Sequence, residues 1–188
     1  MKSIIKATKY AVGAAALAVS MTANAYVINF NPLVGANGDP YAGHAEGGFS
    51  VTPTAGTWME AHSFGNPVPD IFSMSATATV RVTGGTFTFA GVDLGDAGGG
   101  GADWEIHGFL GATELLTMSG LDLADGFTSL ASSNSSMMLD RLDITMLKST
   151  TTSYNIDNIA VNAAPLPGTL ALLGLGLAGL GLSRRKNT

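Results

Sequence analysis

Thr77-Ala78-Thr79-Val80-Arg81-Val82-Thr83-Gly84-Gly85-Thr86-Phe87-Thr88-Phe89 is the stretch on which the fold turns. In an extended chain Ala78, Val80 and Val82 share one face, and Thr77, Thr79, Arg81 and Thr83 share the other. Beyond the glycine pair, Phe87 and Phe89 alternate in the same way with Thr86 and Thr88. Period-two alternation rich in β-branched and aromatic residues marks half-buried strands. Two adjacent glycines between two such runs predict a two-residue turn, and hence a hairpin from Ser75 to about Asp93.

The same alternation extends in both directions. Tyr26–Phe30 and Gly47–Thr52 read as the first strands. Trp104 and Ile106 alternate with Glu105 and His107, Thr113–Met118 follows, and Leu142, Ile144 and Met146 line one face of another strand. Tyr154–Val161 closes the domain. Tyr154 and Ile156 have one parity and Ile159 and Val161 the other, so a bulge near Asp157-Asn158 is expected to bring all four to one face. Residues 26–163 show no helical periodicity and no solenoid repeat. Short strands separated by glycine-rich turns predict an all-β fold, an antiparallel β-sandwich of jelly-roll type.

Both flanks of this region read as addresses. Residues 1–25 have the plan of a secretory signal peptide. Lys2, Lys6 and Lys9 precede an apolar run from Ala11 to Val19, and Ala23-Asn24-Ala25 puts small residues where a signal peptidase reads them. The mature chain is expected to start at Tyr26. Residues 164–188 form the second address. Thr169–Leu182 is leucine, glycine and alanine after its first residue, and Ser183 leads into Arg184, Arg185 and Lys186. A comfortable membrane span takes about 20 apolar residues. This run is shorter, so a short transmembrane helix held by its basic end on the cytoplasmic side is the expectation.

Charge follows the same division. Of nine basic residues, only Arg81, Arg141 and Lys148 lie between the two flanks, whereas all fourteen acidic residues fall between Asp39 and Asp157. Nucleic-acid binding needs a cationic face, so an acidic middle argues against it. The absence of cysteine excludes disulfides, thiol catalysis and a lipid-bearing cysteine.

Pro165-Leu166-Pro167, the Gly/Leu run and the terminal Arg184-Arg185-Lys186 together resemble a PEP-CTERM sorting domain. The resemblance implies recognition by an exosortase, a membrane-embedded cysteine transpeptidase-like enzyme of Gram-negative bacteria that make extracellular polysaccharide. Leu166 stands where that family usually carries glutamate. Glu46-Gly47-Gly48-Phe49, Phe87–Leu94 and Ile156–Ile159 look like the extracellular parts of such proteins, and the last resembles the closing strand of carbohydrate-binding jelly rolls. In those folds the residue matching Asp157 helps hold a structural calcium, which makes Asp157 a metal candidate. Backbone amides at the bulge are the alternative partners of its carboxylate.

Other sites compete weakly with structural readings. Gly98–Asp103 matches one copy of a calcium-binding nonapeptide start, but calcium rolls stack several copies, so a solvated loop is expected. His44 and Glu46 share a strand face, and His62 is the third residue a metal site there would need. No H-E-x-x-H or G-x-S-x-G motif is present, and the Asp103 and Glu105 pair fits a solvated strand face. Trp58 is the better candidate for an exposed aromatic that stacks on a sugar ring, although large aromatics dominate sandwich cores and burial is the leading reading for it too, whereas Trp104 is expected in the core.

The resulting expectation is a non-catalytic exported surface or extracellular-matrix protein, first anchored in the inner membrane, then released to the surface, and associated with exopolysaccharide. A glycan-binding module with a defined sugar site and a secreted matrix hydrolase are the alternatives. No cofactor is required beyond the calcium considered at Asp157.

Overall fold

Eleven strands run through the described residues. They are β1 (Asn24–Ile28), β2 (His44–Glu46), β3 (Phe49–Ala55), β4 (Trp58–Ala61), β5 (Asp70–Ser73) and β6 (Thr77–Asp96). β7 (Ala102–Leu110), β8 (Thr113–Leu123), β9 (Gly126–Ala131), β10 (Met138–Lys148) and β11 (Tyr154–Ala163) complete the set. The computed structural model describes residues 24–99, 101–148 and 150–164, and the compact unit that holds these strands is Asn24–Ala164. Both targeting segments, with Ala23, Pro165, Leu166, Pro167, Arg184, Arg185 and Lys186, lie outside the described residues.

Every pairing is antiparallel, and β6 organises them. Its first half lies between β3 and β10, and β2, β7 and β8 extend that half outward. Its second half lies between β11 and β9, with β5, β4 and β1 beyond β11. The fold is an antiparallel β-sandwich in which one strand belongs to both halves.

The expected hairpin at Gly84-Gly85 is therefore corrected. β6 runs through the glycine pair as one strand of 20 residues. The buried parity changes there instead, from Val80 and Val82 to Phe87 and Phe89, so both halves turn their apolar side chains to a common core. Gly85 has φ of 68°, a conformation that glycine adopts without steric cost. At Gly84 an added Cβ would lie 2.6 Å from the Phe49 ring and 2.7 Å from the Gly48 carbonyl oxygen. Gly84→Ala is accordingly expected to lower stability by roughly 1–3 kcal/mol, read as a lower midpoint in thermal or urea unfolding. An unchanged midpoint would show that the crossing tolerates a side chain.

The two-residue glycine turn exists elsewhere. Gly47 and Gly48, with φ of 59° and 86°, join β2 to β3, and Glu46 pairs with Phe49 across them. Positive φ at both central residues is the hairpin turn whose twist suits the flanking strands.

The core is one cluster fed by both halves. Val51, Val80, Val82, Ile106, Leu142, Ile144 and Met146 come from one side, and Ile71, Phe89, Leu94, Ile156, Ile159 and Val161 from the other. The bulge in β11 appears where the parity required it, between Asp157 and Ala160 in the register with β6. Tyr154, Ile156, Ile159 and Val161 are all at most 1% exposed as a result. Asn158 adopts φ of 47° at this step, which asparagine tolerates better than most side chains.

Candidate functional site

Three places on the domain bear on function. The first is where the chain leaves it. β1 pairs with β11 in the register Asn24↔Ala163 and Ala25↔Asn162, so the strand ends that continue into the two flanking segments are neighbours. β11 also pairs with β6 through Asn162↔Thr88 and Ala163↔Phe87, and the Ala164 N–H donates to the Thr86 carbonyl at 2.9 Å. Glu46 secures β1: its carboxylate accepts from Tyr26 Oη at 3.1 Å and from the Asn29 and Phe30 amides at 3.3 and 3.1 Å. β1 thus begins at Asn24, two residues ahead of the expected mature start at Tyr26, and β11 ends at Ala163.

The second place is the outer face of the first half. Across five strands, Thr52, Arg81, Asp143, His107 and Thr117 stand opposite one another in register. Arg81 grips Asp143 with two hydrogen bonds of 2.7 and 2.9 Å. Arg141 lies over the Phe109 ring at 3.8 Å, a cation–π contact beside the same aspartate. His107 sits 2.7 Å from Glu114, whose carboxylate holds its imidazolium above the usual histidine range, with Glu105 adding to the effect at 3.6 Å. The row is an ordered band of paired charges in which each cation already has an acidic partner.

The third place is the bulge. Asp157 is fully buried, and its two carboxylate oxygens accept from the Asn66 amide at 2.9 Å and the Asn158 amide at 2.7 Å. Asn158 in turn donates to Asp93 and to the Asn66 carbonyl. This is the backbone-bonding arrangement of the carboxylate. Burial pushes Asp157 up to about 6 in spite of those bonds. Among the described residues no group of three or more histidine, cysteine, aspartate or glutamate side chains is placed to hold a metal ion.

The remaining candidates resolve individually. His44 and Glu46 do share a face, at 3.2 Å, but His44 spends its other ring nitrogen on Tyr41 Oη at 2.9 Å, and His62 pairs with Glu60 at 3.1 Å. Asp103 accepts the Asp122 amide at 2.9 Å while Glu105 faces His107, so both acids are engaged in structural contacts. Trp58 is a correction. Its side chain is 1% exposed and meets Tyr154 edge to face at 5.9 Å, so it is a core residue with no surface for a sugar ring. The irregular spacing of Trp58 and Ala61, both buried in a four-residue strand, concealed this in the sequence. Trp104 lies in the core as expected.

A segment that begins at Ala163, the last residue of β11, completes the picture. Residues 163–186 carry a PEP-CTERM protein-sorting motif. The motif implies export, sorting to the surface or beyond it, and recognition by an exosortase. It starts where the last strand stops, with no spacer between them.

No curated protein sequence matches the chain significantly. Among solved structures, the fold is similar to part of a GH29 fucosidase of Ruminococcus gnavus in complex with fucose, at 12% identity and a TM-score of 0.41. That match covers 64% of this chain and 26% of the fucosidase, so the chain spans about a quarter of its length. It is also similar to a family 29 carbohydrate-binding module from Piromyces equi, at 10% identity, a TM-score of 0.43, and coverage of 76% and 92%. A DUF4465 family protein from Bacteroides caccae is similar at 10% identity and a TM-score of 0.41, with coverage of 75% and 100%.

Proposed function

We propose that this chain is a non-catalytic surface or extracellular-matrix protein of a Gram-negative bacterium. It is exported through its N-terminal signal, held briefly in the inner membrane by its C-terminal helix, and sorted by an exosortase. Its ectodomain, a sandwich of jelly-roll type, associates with exopolysaccharide. The observation that carries the reading is the sorting motif at 163–186, directly after the last strand. The non-catalytic part is supported by the engaged acids: Asp103 and Glu105 hold an amide and a histidine, and Asp157 holds two amides.

Export has its own test. Mass spectrometry of the surface-associated protein should find Tyr26 at its amino terminus, from cleavage after Ala25. Recovery of that material with Met1 intact would overturn the signal-peptide reading. Sorting is tested by location: deletion of the exosortase should retain the protein in the membrane with its full C-terminal segment.

A glycan-binding module is the second reading. One feature of the fold favours it, the outer-face arginine stacked on Phe109.

A further inference from the structure

The region between the two flanks holds fourteen acidic side chains and three basic ones, Arg81, Arg141 and Lys148. Two of the three cations meet on the outer face of the first half, around a single acid. Arg81 engages both carboxylate oxygens of Asp143 in hydrogen bonds. Arg141 reaches the same carboxylate only as an ion pair, Nε to Oδ2 at 3.6 Å. One aspartate thus serves two arginines, a local excess of positive charge in a strongly acidic domain.

Arg141 is the arginine with donors to spare. Its guanidinium lies flat over Phe109, with Cζ 3.8 Å from the ring centroid, which fixes the plane of the group and leaves its edge free. Nε is enclosed without a hydrogen-bond partner, and neither Nη nitrogen makes a hydrogen bond among the described residues. Of the three guanidinium nitrogens only Nε is enclosed, so both Nη nitrogens reach the surface of a side chain that is 30% exposed. A planar fork of donors held in place matches an oxyanion, above all a carboxylate that accepts two parallel N–H bonds.

The surroundings indicate what carries the carboxylate. Ser50, Thr83, Arg141 and Phe109 stand opposite one another across β3, β6, β10 and β7. Ser50 is exposed and Thr83 half-buried, so hydroxyl groups flank the arginine on its β6 side. The sheet here is five strands wide, roughly 19 Å at about 4.8 Å per strand, which suits a chain of sugars better than one small acid.

We propose that Arg141, set on Phe109, is a subsite for the carboxylate of a uronic-acid unit in an acidic polysaccharide. Both Nη groups donate to the carboxylate, and Ser50 and Thr83 bond hydroxyls of the same chain. Arg81 keeps Asp143 neutralised beside the ligand. The inference rests on the proposed association with exopolysaccharide and names the site and the charged class of polymer for it.

The test uses the mature full-length protein in a zwitterionic, sugar-free detergent. EDTA is present, so that no divalent cation bridges an acidic domain to an acidic polymer. Calorimetry and saturation-transfer NMR are run against oligogalacturonate, oligoglucuronate and oligomannuronate. Methyl-esterified oligogalacturonate and neutral gluco-, galacto- and manno-oligosaccharides are the comparisons. At least one uronate should bind, and Arg141→Ala should weaken it roughly tenfold or more. Arg141→Lys keeps the charge but not the fork, and should recover only part of the loss. Lys148→Ala removes the same charge elsewhere and should bind as wild type. The unfolding midpoint of each variant separates loss of the site from loss of the fold; should Arg141→Ala unfold, Arg141→Lys and the ester decide the question.

Equal uronate binding by wild type and the Arg141 variants, or equal binding of the acid and its ester, would overturn the subsite. Binding of neutral oligomers without any uronate would overturn it too, with the association with polysaccharide left standing. Failure of every oligomer to bind would overturn both. None of these results touches sorting by the C-terminal motif.

Discussion

Replacing Pro165 and Pro167 with alanine should leave uncleaved precursor in the membrane of a host that processes the wild-type protein. The effect is expected to be near complete, because it removes a recognition element and not a share of the stability. Both prolines lack an amide hydrogen and disfavour helix in the residue before them, so the expectation for the Pro165-Leu166-Pro167 box is an extended chain. Under the proposed sorting route, the Thr169–Leu182 run would place that box at a fixed depth, and Arg184, Arg185 and Lys186 would resist its passage through the bilayer. Upstream, Ala164, whose N–H donates to the Thr86 carbonyl, directly precedes the box in sequence. Leu166→Glu restores the acidic residue of the family box and should leave processing intact or raise it. Blots of these variants in hosts with and without the exosortase decide the matter. A plain tail anchor predicts one size and one location for all of them. Wild-type protein that keeps its full tail equally in both hosts would sink the sorting hypothesis.

The parts of this fold that were legible in the sequence are those whose side chains alternate against a single core. Val80, Val82, Phe87, Phe89, Ile144 and Ile156 all fall on the face that period-two reading assigns them. The parity break in β11 was equally legible, because a buried strand cannot put Ile156 and Ile159 on one face without an extra residue. What failed was the meaning of a glycine pair. Gly47-Gly48 and Gly84-Gly85 look alike locally, and each follows an extended run. Only the first is a hairpin turn, because Glu46 and Phe49 pair across it. The second lies where one strand exchanges neighbours, β3 and β10 before it and β11 and β9 after it, which no local signal encodes. β9 escaped for a different reason: it is an edge strand, half-buried for most of its length, with no fully buried residue to mark an apolar face. The Arg141 site was invisible because Thr83, Arg141 and Phe109 meet only through the pairing of β10 with β6 and β7. The sorting motif was readable throughout, since a proline box, an apolar run and a basic end are defined by order along the chain.

The domain should become more stable as the pH falls from 8 toward 4, the reverse of ordinary acid denaturation over that range. Asp70 is fully buried, and burial pushes it up to about 8, with the charge of Asp157 adding to the rise and the Asn155 hydrogen bond opposing it. Burial pushes Asp157 up to about 6. In the unfolded chain both titrate near the ordinary aspartate value of 3.8. Between that value and its folded one, each group holds a proton in the native state that the unfolded state has released. Acidification therefore draws the equilibrium toward the fold. The contribution is complete below about pH 4 and is lost as the pH rises through the folded values. Asp70 alone supplies a slope of about 1.4 kcal/mol per pH unit, and Asp157 adds a similar slope below pH 6. The other resolved carboxylate shift is opposite in sign, at Glu114, but that group is exposed and its pairing with His107 is screened by solvent. Thermal unfolding at pH 8, 6.5 and 5 should show midpoints rising by several degrees at each step, at about 3 °C per kcal/mol. Asp70→Asn, which is neutral at every pH, should raise the midpoint at pH 8 and flatten the dependence above pH 6. A wild-type midpoint that holds level or falls between pH 8 and 5, with the variant following the same line, would mean that Asp70 stays ionised in the fold.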